Sequence, residues 1–283
     1  MSAGRLWKDE KIVVPPDSPE RSRLKSRLRE FWNGKSEYWE ALTLEHALES
    51  PLRARAASFL PSGGRLLDVA CGSAANSVWL LPRGQYFGTD ISFAGLRRAP
   101  RASLALVCAD AEALPFLDAC FDAVISTYAL EHSVNPVAML AEMRRVVKPS
   151  GRIVCLGPAW DFPFWYPNAL RAKSCSAAWR LRYTWSRFFS QCKALLGGTL
   201  PFQIIEEPDA FTQPFIYDAD AVYIVWTYEV IRQMNRWGCR LVHCETDTPL
   251  LGTNPIVRLL KRFLMLLPAY RHSGSTCLMV FER

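Results

Sequence analysis

The sequence predicts an α/β protein built on a doubly wound, mostly parallel sheet of seven strands, and three observations carry that expectation. Between Arg65 and Phe121 short apolar runs alternate with short helical ones, the rhythm of a parallel sheet whose crossovers are helices. The run Leu66-Leu67-Asp68-Val69-Ala70-Cys71-Gly72-Ser73-Ala74-Ala75-Asn76 ends an apolar strand in a tight turn of small residues that opens into a helix. Such a turn presents backbone N–H groups to a ligand. Two later runs end in acids, Asp90 and Asp110, so that several segments deliver their last residues to one sheet edge, where ligands of such folds bind.

Residues 1–35 are polar, with Pro15, Pro16 and Pro19 ahead of the basic run Arg21 to Arg29, and read as a flexible basic N-terminal arm. From Ser36 to Leu60 the spacing of Tyr38/Trp39, Leu42, Leu44 and Ala47/Leu48, then Leu52, Ala56 and Phe59/Leu60, predicts two helices broken at Pro51. Strands are expected at 65–70, 85–90, 104–109 and 121–126, with helices near 74–81 and 93–99. Asn135 then caps a helix with Pro136 at its first position, Lys148 to Gly151 ends it, and 152–157 is a fifth strand. Beyond Gly157 the rhythm breaks. Residues 158–217, rich in proline and aromatics, read as an α-rich lid inserted into a core that spans 36–157 and resumes over 218–283. The resumed core holds a helix near 219–237 stopped by Gly238, a sixth strand at 241–246 and a last strand at 275–281.

Half of the 283 residues are hydrophobic and 22% are charged, which excludes global disorder and predicts a packed core. The net charge of +7 suits anionic partners without choosing among them. Nine cysteines, an odd number with no C-x-x-C, read as reduced thiols of a cytoplasmic protein rather than a disulfide framework. Four scattered histidines and unpaired cysteines offer no metal site. Met1–Pro16 lacks the apolar core of a signal peptide, and no apolar run reaches about 18 residues, so a spanning helix is not expected.

The chemistry gathers at the strand ends. Asp90 closes the run Tyr86-Phe87-Gly88-Thr89-Asp90 and is placed to accept both ribose hydroxyls of a bound nucleoside; the plainer reading is an acid capping the next helix. Asp110, in Cys108-Ala109-Asp110-Ala111-Glu112, is placed to accept from an adenine amino group, although Asp also favours strand ends and turns for its own sake. Asp68 is read as chiefly organising the loop that follows it. The turn keeps one glycine where dinucleotide sites carry three, which argues against a nicotinamide-dependent dehydrogenase. The fourth strand runs on into Ser126-Thr127-Tyr128-Ala129-Leu130-Glu131-His132.

Together the blocks Leu67–Asn76, Tyr86–Ser92, Val107–Phe116, Phe121–His132 and Glu142–Leu156 resemble the class I S-adenosylmethionine-dependent methyltransferases, within the broad group of small-molecule and quinone methyltransferases. The resemblance covers about residues 60–157 and the closing strand. It implies a Rossmann-like sheet whose last strand, Ser275–Glu282, is antiparallel, and S-adenosyl-L-methionine as cofactor. By the same resemblance Ala70 and Gly72 line the methionine part of that cofactor, and Asp68 supports their loop. Asp90 holds the ribose, Ile91 packs on the adenine, Asp110 and Ala111 frame it, and Ser126 to Tyr128 face the sulfonium and methyl group. Ala74 stands where the family usually has a third glycine, which is tolerable if its φ stays negative. A hydroxyl acceptor needs a general base, for which His132, Asp161 and Tyr128 are the candidates; a packed histidine is the plainer reading of His132.

Phe162 to Ile205 holds six cations, ten aromatic residues and no acid. Leu181, Trp185, Phe188, Cys192 and Leu195 recur there at helical spacing as one apolar face, and Ile256 to Leu267 is a second basic amphipathic stretch. Placed beside the cofactor's sheet edge, the insertion is expected to form the pocket of a hydrophobic or lipid-linked acceptor that carries a phosphate or carboxylate. The leading reading is a lid. The same pattern suits peripheral contact with a membrane and, without any recognised RNA-binding module, suits nucleic acid less well. The expected activity is methyl transfer from S-adenosylmethionine to a small, hydrophobic or lipid-linked acceptor. The rivals are a catalytically silent cofactor-binding protein and a methyltransferase acting on RNA. Oligomeric state is not legible in the sequence.

Overall fold

Seven strands, β1 (Arg65–Val69), β2 (Gln85–Asp90), β3 (Ala105–Cys108), β4 (Phe121–Thr127), β5 (Val147–Pro158), β6 (Arg240–Thr246) and β7 (Thr276–Glu282), form one sheet in the order β3-β2-β1-β4-β5-β7-β6. The structure is a computed structural model that describes residues 18–46, 51–100, 104–163, 177–198, 202–205, 219–246 and 255–283. Strands β1 to β5 pair in parallel, and β7 runs antiparallel to both β5 and β6. The registers Asp68↔Gly88 and Asp90↔Cys108 bring the C-terminal ends of β1, β2 and β3 to one edge.

Side-chain alternation along the strands divides the core between two faces. Leu67, Val69, Val124, Ile153 and Phe281 pack under α6 (Pro136–Val146) and α8 (Thr227–Arg236), through Met139, Leu140, Met143, Val230 and Met234. Leu66, Ile125, Val154 and Val280 pack under α3 (Pro51–Ser58), α4 (Ser77–Leu80) and α5 (Phe93–Leu96), through Leu52, Ala56, Leu80 and Leu96. Helices on both faces make the sheet doubly wound. Helix α6 starts as its sequence predicts: Pro136 is its first residue and Asn135 Oδ1 accepts from Ala138 N at 3.3 Å.

Two expectations are corrected. Residues 19–34 are no loose arm but a helix, α1 (Pro19–Gly34), opened by Pro19 and by Ser18, whose Oγ accepts from Arg21 N. Its Leu24, Leu28 and Phe31 recur at i, i+4 and i+7 and bury against Val134 and Val222, so the basic residues that suggested an arm are only its outer face. Residues 1–17 lie outside the described residues. The helix expected at 219–237 begins at Thr227, because Ala219 to Trp226 are buried and their backbone bonds elsewhere. Val222 and Tyr223 N both donate to the Glu131 carbonyl, and Trp160 N donates to that of Val225. Gly238, at φ +76°, ends the helix as expected.

Of the insertion at 158–217, the chief described element is α7 (Ala177–Leu195); residues 164–176, 199–201 and 206–218 lie outside the described residues. The second basic amphipathic stretch forms α9 (Pro255–Leu264). Among the described residues no helix is long and apolar enough to cross a membrane, and no group of three or more His, Cys, Asp or Glu side chains is arranged to hold a metal. The eight described cysteines are free thiols.

Candidate active site

A cleft of about 1360 Å³, counting the part open to solvent, runs along the C-terminal edge of β1 to β4. Its floor is the β1 turn, where Ala70, Gly72 and Ala74 take φ of +55°, +55° and +56°. The condition set for Ala74 therefore fails: this buried alanine sits in the left-handed region, strain that clusters at functional loops. A Cβ on Gly72 would lie 3.1 Å from the ring of Trp39, so the turn and α2 (Ser36–His46) leave a backbone-lined cradle there.

Asp90 ties this turn to the end of β2. Its Oδ2 accepts from Gly72 N at 2.8 Å and its Oδ1 from Ser92 N at 2.7 Å. Burial pushes its pKa up, against those two N–H bonds. An ionised carboxylate offers about four acceptor positions. Two remain on Asp90, at the wall of the cleft, for the hydroxyls of a ribose. With the Gly72 cradle and the flanking Ile91, Asp110 and Ala111, these residues fit an adenosyl group.

Asp110 is already engaged. Its Oδ2 accepts from Lys25 Nζ of α1 at 2.9 Å and its Oδ1 from Glu112 N at 2.9 Å, and Glu112 Oε2 lies 2.5 Å from the same ammonium. Burial works against the Lys25 charge, but these two acids outweigh it and hold its pKa above the ordinary value. Helix α1 is thus latched across the end of the cleft that holds Asp110. No sequence signal singled out Lys25 from its basic neighbours.

Three expected site residues do not reach the cleft. Asp68 is buried beneath it, accepting from Tyr86 Oη at 2.9 Å and, more loosely, from Asn76 Nδ2. Its part is to brace the turn from below, as its reading as a loop organiser has it. Burial pushes its carboxyl up to about 7, with the Tyr86 and Asn76 bonds opposing. A folded-state pKa above the unfolded one contributes stability below about pH 4 that is lost as pH rises through about 7. Against Asp68→Asn, which cannot ionise, the wild type should lose on the order of 4 kcal/mol between those limits, read from urea midpoints measured across pH.

Ser126 is buried and turned from the cleft into the interior between Met139, Cys155 and Met279, so its expected contact with the methyl group is corrected. Alternation along β4 makes Thr127 the residue that faces the cleft, where its Oγ1 accepts from Asn76 Nδ2 at 2.8 Å. Asp161 is fully buried and away from the cleft. It accepts from Thr227 N at 2.8 Å, Thr227 Oγ1 at 2.6 Å and Ser273 Oγ at 3.2 Å, capping α8. That geometry removes it as a catalytic base.

Tyr128 and His132 do line the cleft. Tyr128, at φ +51°, lies under the Arg53 guanidinium, 5.0 Å from its ring centroid. Arg53 also donates to Asn76 Oδ1 at 3.0 Å. His132 Nδ1 stands 3.4 Å from Asp220 Oδ2, which accepts from Trp32 Nε1 at 2.9 Å. Around this pair the cleft turns apolar, with Leu28, Trp32, Tyr38, Trp39, Leu42 and Val134. This apolar end is walled by α1 and α2; no described residue of 158–217 lines it, and the expected acceptor pocket in that insertion falls largely on residues outside the described ones. The helical spacing of the Tyr38/Trp39 region was legible; that its aromatics close over the β-strand ends was not.

Sheet order, antiparallel β7 and a cleft built on the β1 turn and Asp90 define the class I S-adenosylmethionine-dependent methyltransferase fold. Residues 67–155 match the family model for a methyltransferase domain. Demethylmenaquinone methyltransferases of Mycobacterium sp. (strain KMS) and Mycobacterium marinum are 40% and 34% identical to this chain over 93 and 122 residues. These matches cover 32% and 43% of this chain and 40% and 48% of the relatives, so the chain spans less than half the length of either. Geranyl diphosphate C-methyltransferase from Streptomyces coelicolor shares the fold, with a TM-score of 0.51 at 16% identity over 95% of this chain and all of that one. A methyltransferase structure from Thermotoga maritima does so with a TM-score of 0.52 at 14% identity, over 90% of this chain and 99% of that one.

Proposed function

We propose that this protein transfers the methyl group of S-adenosylmethionine to a small hydrophobic acceptor. The observation that carries the reading is the division of one cleft into two ends. The Gly72 cradle and Asp90 suit an adenosyl group, and the aromatic wall from α1 and α2, with His132 inside it, suits an apolar ring or chain. A quinone-type acceptor of the kind named for the mycobacterial relatives agrees with that wall.

The bound cofactor supplies an electrophilic methyl group, so the chain's own task is alignment and exclusion of water, which can be worth roughly 7–11 kcal/mol. Asp90 and Gly72 hold the nucleoside. Of the two cations lining the cleft, Lys25 is committed to Asp110 and Glu112, which leaves Arg53 to meet the methionine carboxylate. His132, oriented by Asp220, takes a proton from an acceptor hydroxyl through its other ring nitrogen. Burial and the carboxylates of Asp220 and Asp90 push the Tyr38 phenol up, so it stays protonated and bonded to Asp220 in the apolar wall.

Two measurements test the reading. Calorimetry should show binding of S-adenosylmethionine and S-adenosylhomocysteine but not NAD; the reverse pattern sinks it. With labelled methyl donor and an acceptor that takes up label, His132→Ala should lower kcat by roughly 100-fold or more and leave cofactor affinity unchanged. A binding-competent protein that labels no apolar acceptor from a lipid extract points to the silent alternative.

A further inference from the structure

Two helices of this protein are built inside out. On α9, Ile256, Leu259, Leu260 and Phe263 recur at i, i+3, i+4 and i+7, the spacing of a core-facing stripe. They are 77%, 57%, 57% and 60% exposed, while Lys261 is the side chain turned inward, 8% exposed, with its ammonium 5.3 Å from the ring centroid of Phe162. Leu266 and Leu267 carry the exposed stripe past the end of the helix. On α7 the buried side chains are Thr184, Arg187, Gln191 and Ala194, with Arg187 donating to the Trp160 carbonyl and Gln191 to that of Asp161. Leu181, Phe189 and Leu196 face outward instead. Of the apolar face read from the sequence, Leu181, Trp185 and Leu195 are exposed and Phe188 and Cys192 are half-buried, so none of it is in the buried face. The two helices share one cluster, where Ala194 of α7 packs with Leu264 and Met265 at the end of α9.

Charge is segregated in the same way. Residues 162–205 and 248–281 hold ten of the chain's 34 cations and none of its 27 acids, so the rest of the molecule, with 24 cations against those 27 acids, is net acidic. An outward stripe of leucine and phenylalanine flanked by arginine and lysine matches the chemistry of an interface-bound amphipathic helix. Association of two copies through this surface would bring their cations together, which disfavours that occupant.

We propose that α7 and α9 dock this protein onto an anionic lipid bilayer. Leu259, Leu260, Phe263, Phe189 and Leu196 enter the interface, and Arg182, Lys193 and Arg262 meet headgroup phosphates. No residue of either helix lines the cleft, so the proposal stands independently of the methyl-transfer reading.

The test is flotation of the full chain with vesicles, without methyl donor. Vesicles of equal parts phosphatidylcholine and phosphatidylglycerol should carry the protein, phosphatidylcholine vesicles should carry at least roughly tenfold less, and salt should weaken the first. Leu259→Glu with Phe263→Glu, and in parallel Phe189→Ser with Leu196→Ser, should each lower partition roughly tenfold. Circular dichroism and S-adenosylhomocysteine affinity should not change. Failure of the wild type to float with either vesicle overturns the proposal, and so does equal binding to both. A concentration-dependent dimer in ultracentrifugation, abolished by Phe263→Glu and unaccompanied by flotation, assigns the surface to a second copy and also overturns it.

Discussion

Asp90→Ala should weaken S-adenosylhomocysteine binding by about 100-fold or more, measured by calorimetry at neutral pH. The substitution removes the acceptor of Gly72 N and Ser92 N, leaving two N–H groups near the cleft floor without their carboxylate. Each orphaned donor costs about 1–3 kcal/mol of stability, whereas the affinity is lowered by the two proposed ribose hydroxyls losing a charged acceptor, about 1.5–3 kcal/mol for each bond. Because 1.4 kcal/mol is a factor of ten, the sum readily reaches two orders of magnitude. Asp90→Asn should recover little, since its amide turns a donor toward one of those N–H groups. The plainer reading, in which Asp90 only caps the helix beginning at Phe93, predicts lowered stability with nearly unchanged affinity. That result would overturn the cofactor role.

Asp161→Ala should destabilise the fold by about 3–5 kcal/mol, read from urea unfolding, whereas a catalytic base would instead show lost turnover at normal stability. Asp161 caps α8 through Thr227 N and holds Thr227 Oγ1 and Ser273 Oγ in a site closed to water. Burial pushes its carboxyl up to about 6, with Thr227 and the Arg187 guanidinium opposing. Its loss also strips the buried Arg187 of a counter-charge, and Arg187 Nη1 is a buried donor with no partner among the described residues. Asp161→Asn should be milder, because the amide oxygen still accepts one of the Thr227 bonds.

Asp90 and Asp161 show how far a local sequence signal reaches toward the cleft. The place of Asp90 at the cleft was legible because it depends on local order: an apolar strand, an acid at its end, and a tight turn a fixed distance upstream. Gly72 and Ile91 line the cleft for the same reason. Ser126 missed by one residue, since a strand's two faces differ by a single position and nothing in Ile125-Ser126-Thr127 says which faces the cleft. Asp161 was misread because an acid just past a strand end looks alike whether it faces solvent, substrate or the N-terminus of a helix 66 residues on. Lys25, Arg53 and Asp220 carried no local mark at all, for they meet the site only after α1, α3 and the 219–226 segment fold onto it.

By itself the sequence determined the sheet, its helical crossovers and which strand ends meet at the cleft, because alternation, turn residues and strand-end acids act within about 30 residues of one another. The tertiary structure decided which residues close the cleft and which way the amphipathic helices face. Hydrophobic periodicity reports that α7 and α9 each have an apolar stripe, but not whether that stripe or the opposite one meets the core. In α7 Arg187 with Thr184 and Gln191, and in α9 Lys261, is buried against the protein, and the apolar side chains face outward. That choice depends on the surface each helix lands on, which lies far away in the chain.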